Sequence, residues 1–165
     1  MKAALMALMA FVATISSSVV LADGGPAKLL VIPFGFFDTS GEVRDQRAEH
    51  ALRLSTMSRE LGSELERKGL FRVVLQRADA KPCAPADTDC ILKEARSAGA
   101  DIILTGAVQK VSTMASSIWV GAFAATNGQR IFFRQLTFRG DTDDAWHHAT
   151  SFLAHQFEAD PPKLQ

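Results

Sequence analysis

The chain has no tyrosine, and its 18 basic residues are cancelled by 18 acidic ones. That balance removes the electrostatic basis for holding nucleic acid or an anionic membrane surface. Eleven phenylalanines and two tryptophans without tyrosine describe an apolar interior more than a sugar-binding or antibody-like surface. Cysteine is scarce: Cys83 and Cys90 are all there is, and neither directly follows an apolar segment as the lipidated cysteine of a bacterial lipoprotein must. No Gly-x-Ser-x-Gly elbow, phosphate loop, Gly-x-Gly-x-x-Gly or His-Glu-x-x-His occurs. Scattered Ser, His and Asp residues do not make a triad, which is defined by geometry and not by sequence distance. Internal repeats and low-complexity stretches are missing too, so composition names no reaction.

What is present begins with an address. Met1 and Lys2 give a short basic start, Ala3 to Val20 form an uncharged, largely apolar run, and Val20-Leu21-Ala22 ends it with small side chains at the positions a signal peptidase reads. An uncleaved membrane anchor is the competing reading, since such a run is long enough to span a bilayer. Ser16 to Ser18 and the Val-Leu-Ala ending argue for cleavage after Ala22. Residues 1–22 are therefore expected to be a removed signal peptide, and the protein a periplasmic, exported one without a stable membrane anchor. Residues 23–165 are the size of one ordinary domain, close to neutral once Lys2 is lost, with a tail expected to fray after about residue 158.

Along that domain the hydrophobic period alternates between strand and helix. Lys28 to Phe34 is a continuous apolar run stopped by Pro33, which suits a strand buried on both faces. Gly35 to Arg47 holds turn formers and mixed charge and reads as a loop. From Ala48 to Lys68, Ala51, Leu54, Met57, Leu61 and Leu65 recur at three and four, the stripe of an amphipathic helix closed by Gly69. Phe71 to Leu75 is a short strand. Asp87 or Thr88 can cap a second helix through Ala98, Asp101 to Val111 is a strand, and Asp141 or Thr142 can cap a third helix from about Asp143 to Phe157. Between them, Ser117 to Ala125 and Arg130 to Phe138 flank Asn127-Gly128, which predicts a type I′ hairpin pairing Phe123 with Phe132, Trp119 with Leu136 and Ala122 with Phe133.

In an exported chain, Cys83 and Cys90 can persist as a disulfide around the polar turn 84–89, contributing on the order of 2 to 3 kcal/mol by loop-closure entropy. Free thiols stay open as the alternative. The spacing is not the Cys-x-x-Cys that activates a thiolate.

The strand ending in Ile32-Pro33-Phe34, the helix before Phe71-Arg72-Val73-Val74, and Ala98 to Gly106 ahead of a hairpin resemble the N-terminal domain of TolB and the CsgG and LpoB envelope proteins. Gly106 to Ser112, the cysteines before helix two, and Gly140-Asp141-Thr142-Asp143-Asp144-Ala145-Trp146 are similar to a bacterial family of exported proteins of unknown function. The resemblance spans nearly all of residues 23–165. It implies an α/β fold, a three-layer α/β/α domain like the anticodon-binding-domain fold, with a five-stranded mixed sheet ordered 2-1-3-4-5 and strand 4 antiparallel. It also implies a protein-binding or assembly role in the envelope, although neither a propeller nor a lipidated cysteine accompanies it here.

Two places could carry function. Asp144 and His148, four apart on the third helix, could share a metal ion, with Asp143, His147 and His155 nearby. The plainer reading is a capped, solvated helix, and no cofactor is implied. The carboxyl ends of the parallel strands are the second place, because open α/β sheets take ligands there. Phe36 and Phe37 leave one such end, and two adjacent phenylalanines in a loop do not both point inward easily. They are expected to anchor a partner-binding edge, with Arg77 and Lys110 as its polar rim; the competing reading has the rings covering helix ends. The expected function is a non-enzymatic interaction module for an envelope or periplasmic protein. The alternative is an accessory enzyme or metal-binding factor using Asp144, His147 and His148.

Overall fold

The computed structural model describes residues 25–76, 83 and 87–164. The leader, its cleavage point and Arg77 lie outside the described residues. Among those described, six strands form one sheet: β1 (Lys28–Val31), β2 (Gly35–Asp38), β3 (Arg72–Leu75), β4 (Ile102–Ser112), β5 (Ala115–Ala124) and β6 (Arg130–Arg139). Three helices connect or follow them: α1 (Arg47–Arg67), α2 (Thr88–Ser97) and α3 (Asp143–Ala159).

The sheet runs β3-β1-β4-β5-β6, with β3, β1 and β4 parallel and β5 antiparallel to both neighbours. This is the expected order with one strand added. Because β1 is buried on both faces, its side chains feed two layers. Leu29 and Val31 join Met57, Leu61 and Leu65 of α1 and Leu153 and Phe157 of α3, whereas Leu30 joins Ile103 and Ala95 of α2. Phe157 stacks on Phe132 with ring centroids 4.1 Å apart, a pair worth about 0.5–1.5 kcal/mol beyond the area it buries.

The added strand is β2, which lies within the stretch read as a loop. Pro33 has no N–H to continue the ladder, and the chain takes up one extra residue there: Val31 lies opposite Leu104, but Gly35 lies opposite Ala107. Pairing then resumes alongside β4 as far as Asp38 opposite Lys110. The turn formers Thr39 to Gly41 do form a loop, which starts after Asp38, four residues later than the expected one.

The hairpin also departs from expectation. A type I′ turn needs positive φ at both central residues, and Gly128 has it (72°) while no residue other than glycine does. The chain instead makes a longer turn, with Gly128 N–H bonded to Ala124 O and Ala124 N–H to Gln129 O. A bulge between Ala122 and Phe123 follows. Ala122 consequently pairs with Phe132, Gly121 with Phe133 and Trp119 with Gln135. A slip of one residue exchanges the faces of β6: Phe132 enters the core beside Ala122, and Phe133 joins Trp119, which its place opposite Ala107 sets on the side away from α1 and α3.

Cap chemistry decides the helix ends. Asp87 accepts from Cys90 N–H at 3.0 Å to start α2, directly beside the disulfide that joins Cys83 to Cys90 with Cα atoms 5.7 Å apart. Thr142 accepts from Ala145 N–H to start α3, leaving the Asp141 side chain free for another task. On α1, His50 and not Ala51 continues the buried stripe of Met57, Leu61 and Leu65. Beyond α3, Asp160 pairs with Arg134 at 2.5 Å.

The ring of Phe34 lies across Gly106, where an added Cβ would come within 2.9 Å of the ring and also meet the Trp119 carbonyl. A backbone oxygen in the ladder cannot yield. Gly106→Ala is expected to cost about 3 kcal/mol, read as a lower midpoint in urea with an unchanged slope.

Candidate functional site

The carboxyl ends of β2 and β4 and the N-termini of α1 and α3 converge on one carboxylate. Gly140, at φ 91°, turns the chain out of β6 and sets Asp141 just ahead of the α3 cap. Asp141 accepts from Lys110 Nζ at 2.8 Å, His50 Nε2 at 2.9 Å, Arg53 Nη1 at 2.8 Å and Trp146 Nε1 at 3.2 Å. Lys110 also donates to Glu42 and Gln46, and Arg53 Nε reaches Asp143 at 2.8 Å. Phe36 closes the cluster from β2, stacked on the His50 ring at 4.3 Å.

Burial is nearly complete for the charges at the centre. The Lys110 side chain is 1% exposed and that of Asp141 13%. Burial pushes the Asp141 carboxyl up, but the bonds from Lys110 and His50, the His50 charge and the Trp146 indole together bring it from 3.8 down to about 2. For Lys110, burial works against the charge, and its bonds to Asp141 and Glu42 outweigh it, so the ammonium is held more firmly than usual. Glu42 is lowered by its bonds from Lys110 and Thr113.

This cluster lines a cleft of about 490 Å3. Its cations are already matched: Arg44 with Glu49, Arg53 with Asp141 and Asp143, Lys110 with Glu42 and Asp141. Asp141 stays ionised and its lone pairs are occupied by the protein's own donors. The place where an open α/β sheet would take an anion is thus filled from within, by Asp141 itself.

The residues singled out from sequence separate. Phe36 is inside, as half of the His50 stack, whereas Phe37, one residue on along a strand, is 57% exposed. Lys110 is not a polar rim, because alternation along β4 puts it on the same face as Leu104 and Val108, toward α1 and α3. Asp144 and His148 approach to 3.5 Å but both are largely exposed, His147 turns to Glu60 and His155 to Glu158. Among the described residues no group of three His, Cys, Asp or Glu side chains is placed to hold a metal ion.

A second surface emerges on the other side of the sheet. α2 packs over Leu30, Ile32, Ile103 and Ala125. Among the described residues no helix extends over the neighbouring rows, in which Phe37 and Gln109 lie beside Ser117 and Thr137, and Ala107 beside Trp119 and Gln135. Phe133, 42% exposed, completes this half-open face next to Gly121. In the sequence Trp119 and Phe133 are strand aromatics of unassigned face: the side of Trp119 is set by its pairing with Ala107, and that of Phe133 by the register beyond the bulge.

Sheet order, crossovers and helix placement define a three-layer α/β/α domain. The chain belongs to the family described as a protein of unknown function (DUF2380), whose profile matches residues 27–157. No curated protein matches it in sequence. Among solved structures it is similar to the PelC dodecamer from Paraburkholderia phytofirmans, at 17% identity and a TM-score of 0.56 over 84% of this chain and 90% of that one. It is likewise similar to the lipoprotein GNA1162 from Neisseria meningitidis, at 17% identity and 0.53 over 82% and 99%. Protein XCC0632 from Xanthomonas campestris gives 12% and 0.50 over 84% and 92%. These likenesses establish the shared fold.

Asp141→Ala strands Lys110 in the interior with Glu42 as its remaining carboxylate and is expected to cost about 3–5 kcal/mol. The double change Asp141→Leu with Lys110→Met removes both charges and should cost less than the single one, which paired urea titrations would reveal. Acid sensitivity has a defined sign. The folded Asp141 value of about 2 lies below the ordinary 3.8, so its contribution is complete above that ordinary value and is lost as pH falls toward the folded one. Stability followed from pH 5 downward should show this loss in the natural sequence and lack it in Asp141→Asn.

Proposed function

We propose that this protein is an exported, non-enzymatic interaction module of the bacterial envelope that receives a protein partner on the half-open face of its sheet. The observation that carries this reading is that Phe37, Trp119 and Phe133 line one face outside both core clusters. Rigid aromatic rings set among neutral Gln109, Gln135, Ser117 and Thr137 are the side chains that contribute most to binding energy at small desolvated contacts. Arg130, stacked over Phe133 at 5.1 Å, marks the margin of the face. The fold shared with PelC, a dodecamer, and with GNA1162, a lipoprotein, supports an envelope setting. The leader read from residues 1–22 supports export to the periplasm, and no helix among the described residues is long and apolar enough to cross a membrane.

A photo-crosslinking residue placed at Phe37 is expected to capture a discrete envelope protein, or a second copy of the chain, in cells. The same residue at Leu52, 69% exposed on α1 across the sheet, should not. Identical products from the two positions, or none from Phe37, would remove the assignment of this face.

A further inference from the structure

β6 forms one border of the sheet, and among the described residues no backbone group pairs with its outer side. The other border, β3, is four residues long, whereas β6 runs for ten without a proline. A long open border is a template for another strand, because its N–H and C=O groups point outward unpaired. The Gly140 N–H bonds inward to Met114 O, and alternation along the strand then turns the backbone groups of Gln135, Thr137 and Arg139 outward. Phe133 O, on the same outer side, is taken by the Arg134 side chain at 2.8 Å, so the open stretch begins after it.

A groove of about 630 Å3 runs beside this stretch, between β6 and α3. Leu136 and Phe138 line it from the strand, and Ala145, Ala149 and Phe152 from the helix, with Phe152 53% exposed. Toward the start of β6, Asp160 pairs with Arg134 and borders the strand together with Pro161, so the second half of the edge is the accessible one.

That half is matched to itself. About a twofold axis at Thr137, antiparallel pairing sets Leu136 opposite Phe138, both on the groove side, and Gln135 opposite Arg139 on the other face. The strand carries three arginines and no carboxylate, and like charges directly opposite each other work against pairing. In this register no arginine stands opposite another, whereas an axis at Arg134 sets two guanidinium groups together.

We propose that β6 pairs with β6 of a second copy of this chain about an axis at Thr137, joining two six-stranded sheets into one. The α3 helices of the two copies then flank each other across the axis and cover the groove and Phe152. The contact is isologous and closes at two copies. It uses the border and the α3 side of the sheet, and does not rest on the reading of the aromatic face.

Sedimentation velocity of the purified protein should show a concentration-dependent equilibrium between monomer and dimer. Thr137→Lys and Thr137→Glu each set like charges opposite each other at the axis and should be monomeric where the natural sequence pairs. A mixture of the two variants should recover the dimer, which also shows that both are folded. Thr137→Cys should oxidise to a disulfide-linked dimer, since hydrogen-bonded cross-strand positions lie about 5.5 Å apart between Cα atoms, within disulfide reach. Arg130→Cys, far from the axis, should not. Phe37→Ser should leave the dimer intact, which separates this contact from one made by the half-open face. A monomer at every concentration, a larger closed assembly, a dimer indifferent to the Thr137 charges, or a dimer lost in folded Phe37→Ser would overturn the proposal.

Discussion

The Asp141 carboxylate is the constraint to which the rest of the domain is fitted. Four donors from β4, α1 and α3 meet on it. A lysine as buried as Lys110 is tolerable only if its counter-charge is fixed in place. The position of β2, which brings Phe36 over His50, and the turn at Gly140, which presents Asp141, both follow from satisfying that demand. Charge-assisted bonds tie β4 and α1 to the carboxylate, and the rings of Phe36 from β2 and Trp146 from α3 pack around His50. Among the described residues the opposite side of the sheet has no comparable clamp, and there Phe37 and Phe133 are exposed.

This division bears on chemistry. A catalytic carboxylate needs a lone pair or a proton to exchange, and Asp141 has its acceptor capacity taken up by the chain itself. The histidines of α3 are spread over separate exposed carboxylate contacts. Surfaces in this fold therefore differ in kind: a closed polar end, a half-open aromatic face and an open border along β6.

Much of the architecture could be read from periodicity. The apolar run of β1, the helical stripe of Leu54, Met57, Leu61 and Leu65, and the two crossovers require the observed strand order almost by themselves. Where the reading failed, the deciding contact was tertiary. Nothing local says that Asn127 keeps a negative φ, and the register and facing of Phe132 and Phe133 depend on that. The rim role expected of Lys110 follows the usual exposure of lysines, whereas its alternation with Leu104 and Val108 places it inward. His50 had the same signal, falling four residues before Leu54 on the buried stripe. Asp141 and Thr142 are equal cap candidates in the sequence, and Thr142 taking the cap leaves the Asp141 carboxylate for the cluster.

The cluster also has a kinetic meaning. Its members run from Glu42 to Trp146, so it joins contacts separated by most of the domain, the kind that form late and slow folding. A chain that has emerged only as far as β5 has Lys110, Glu42 and Gln46 but not Asp141, and so lacks the carboxylate on which the other donors meet. This polar end of the sheet is thus the last that can close, which leaves an incomplete chain pliable until α3 is in hand.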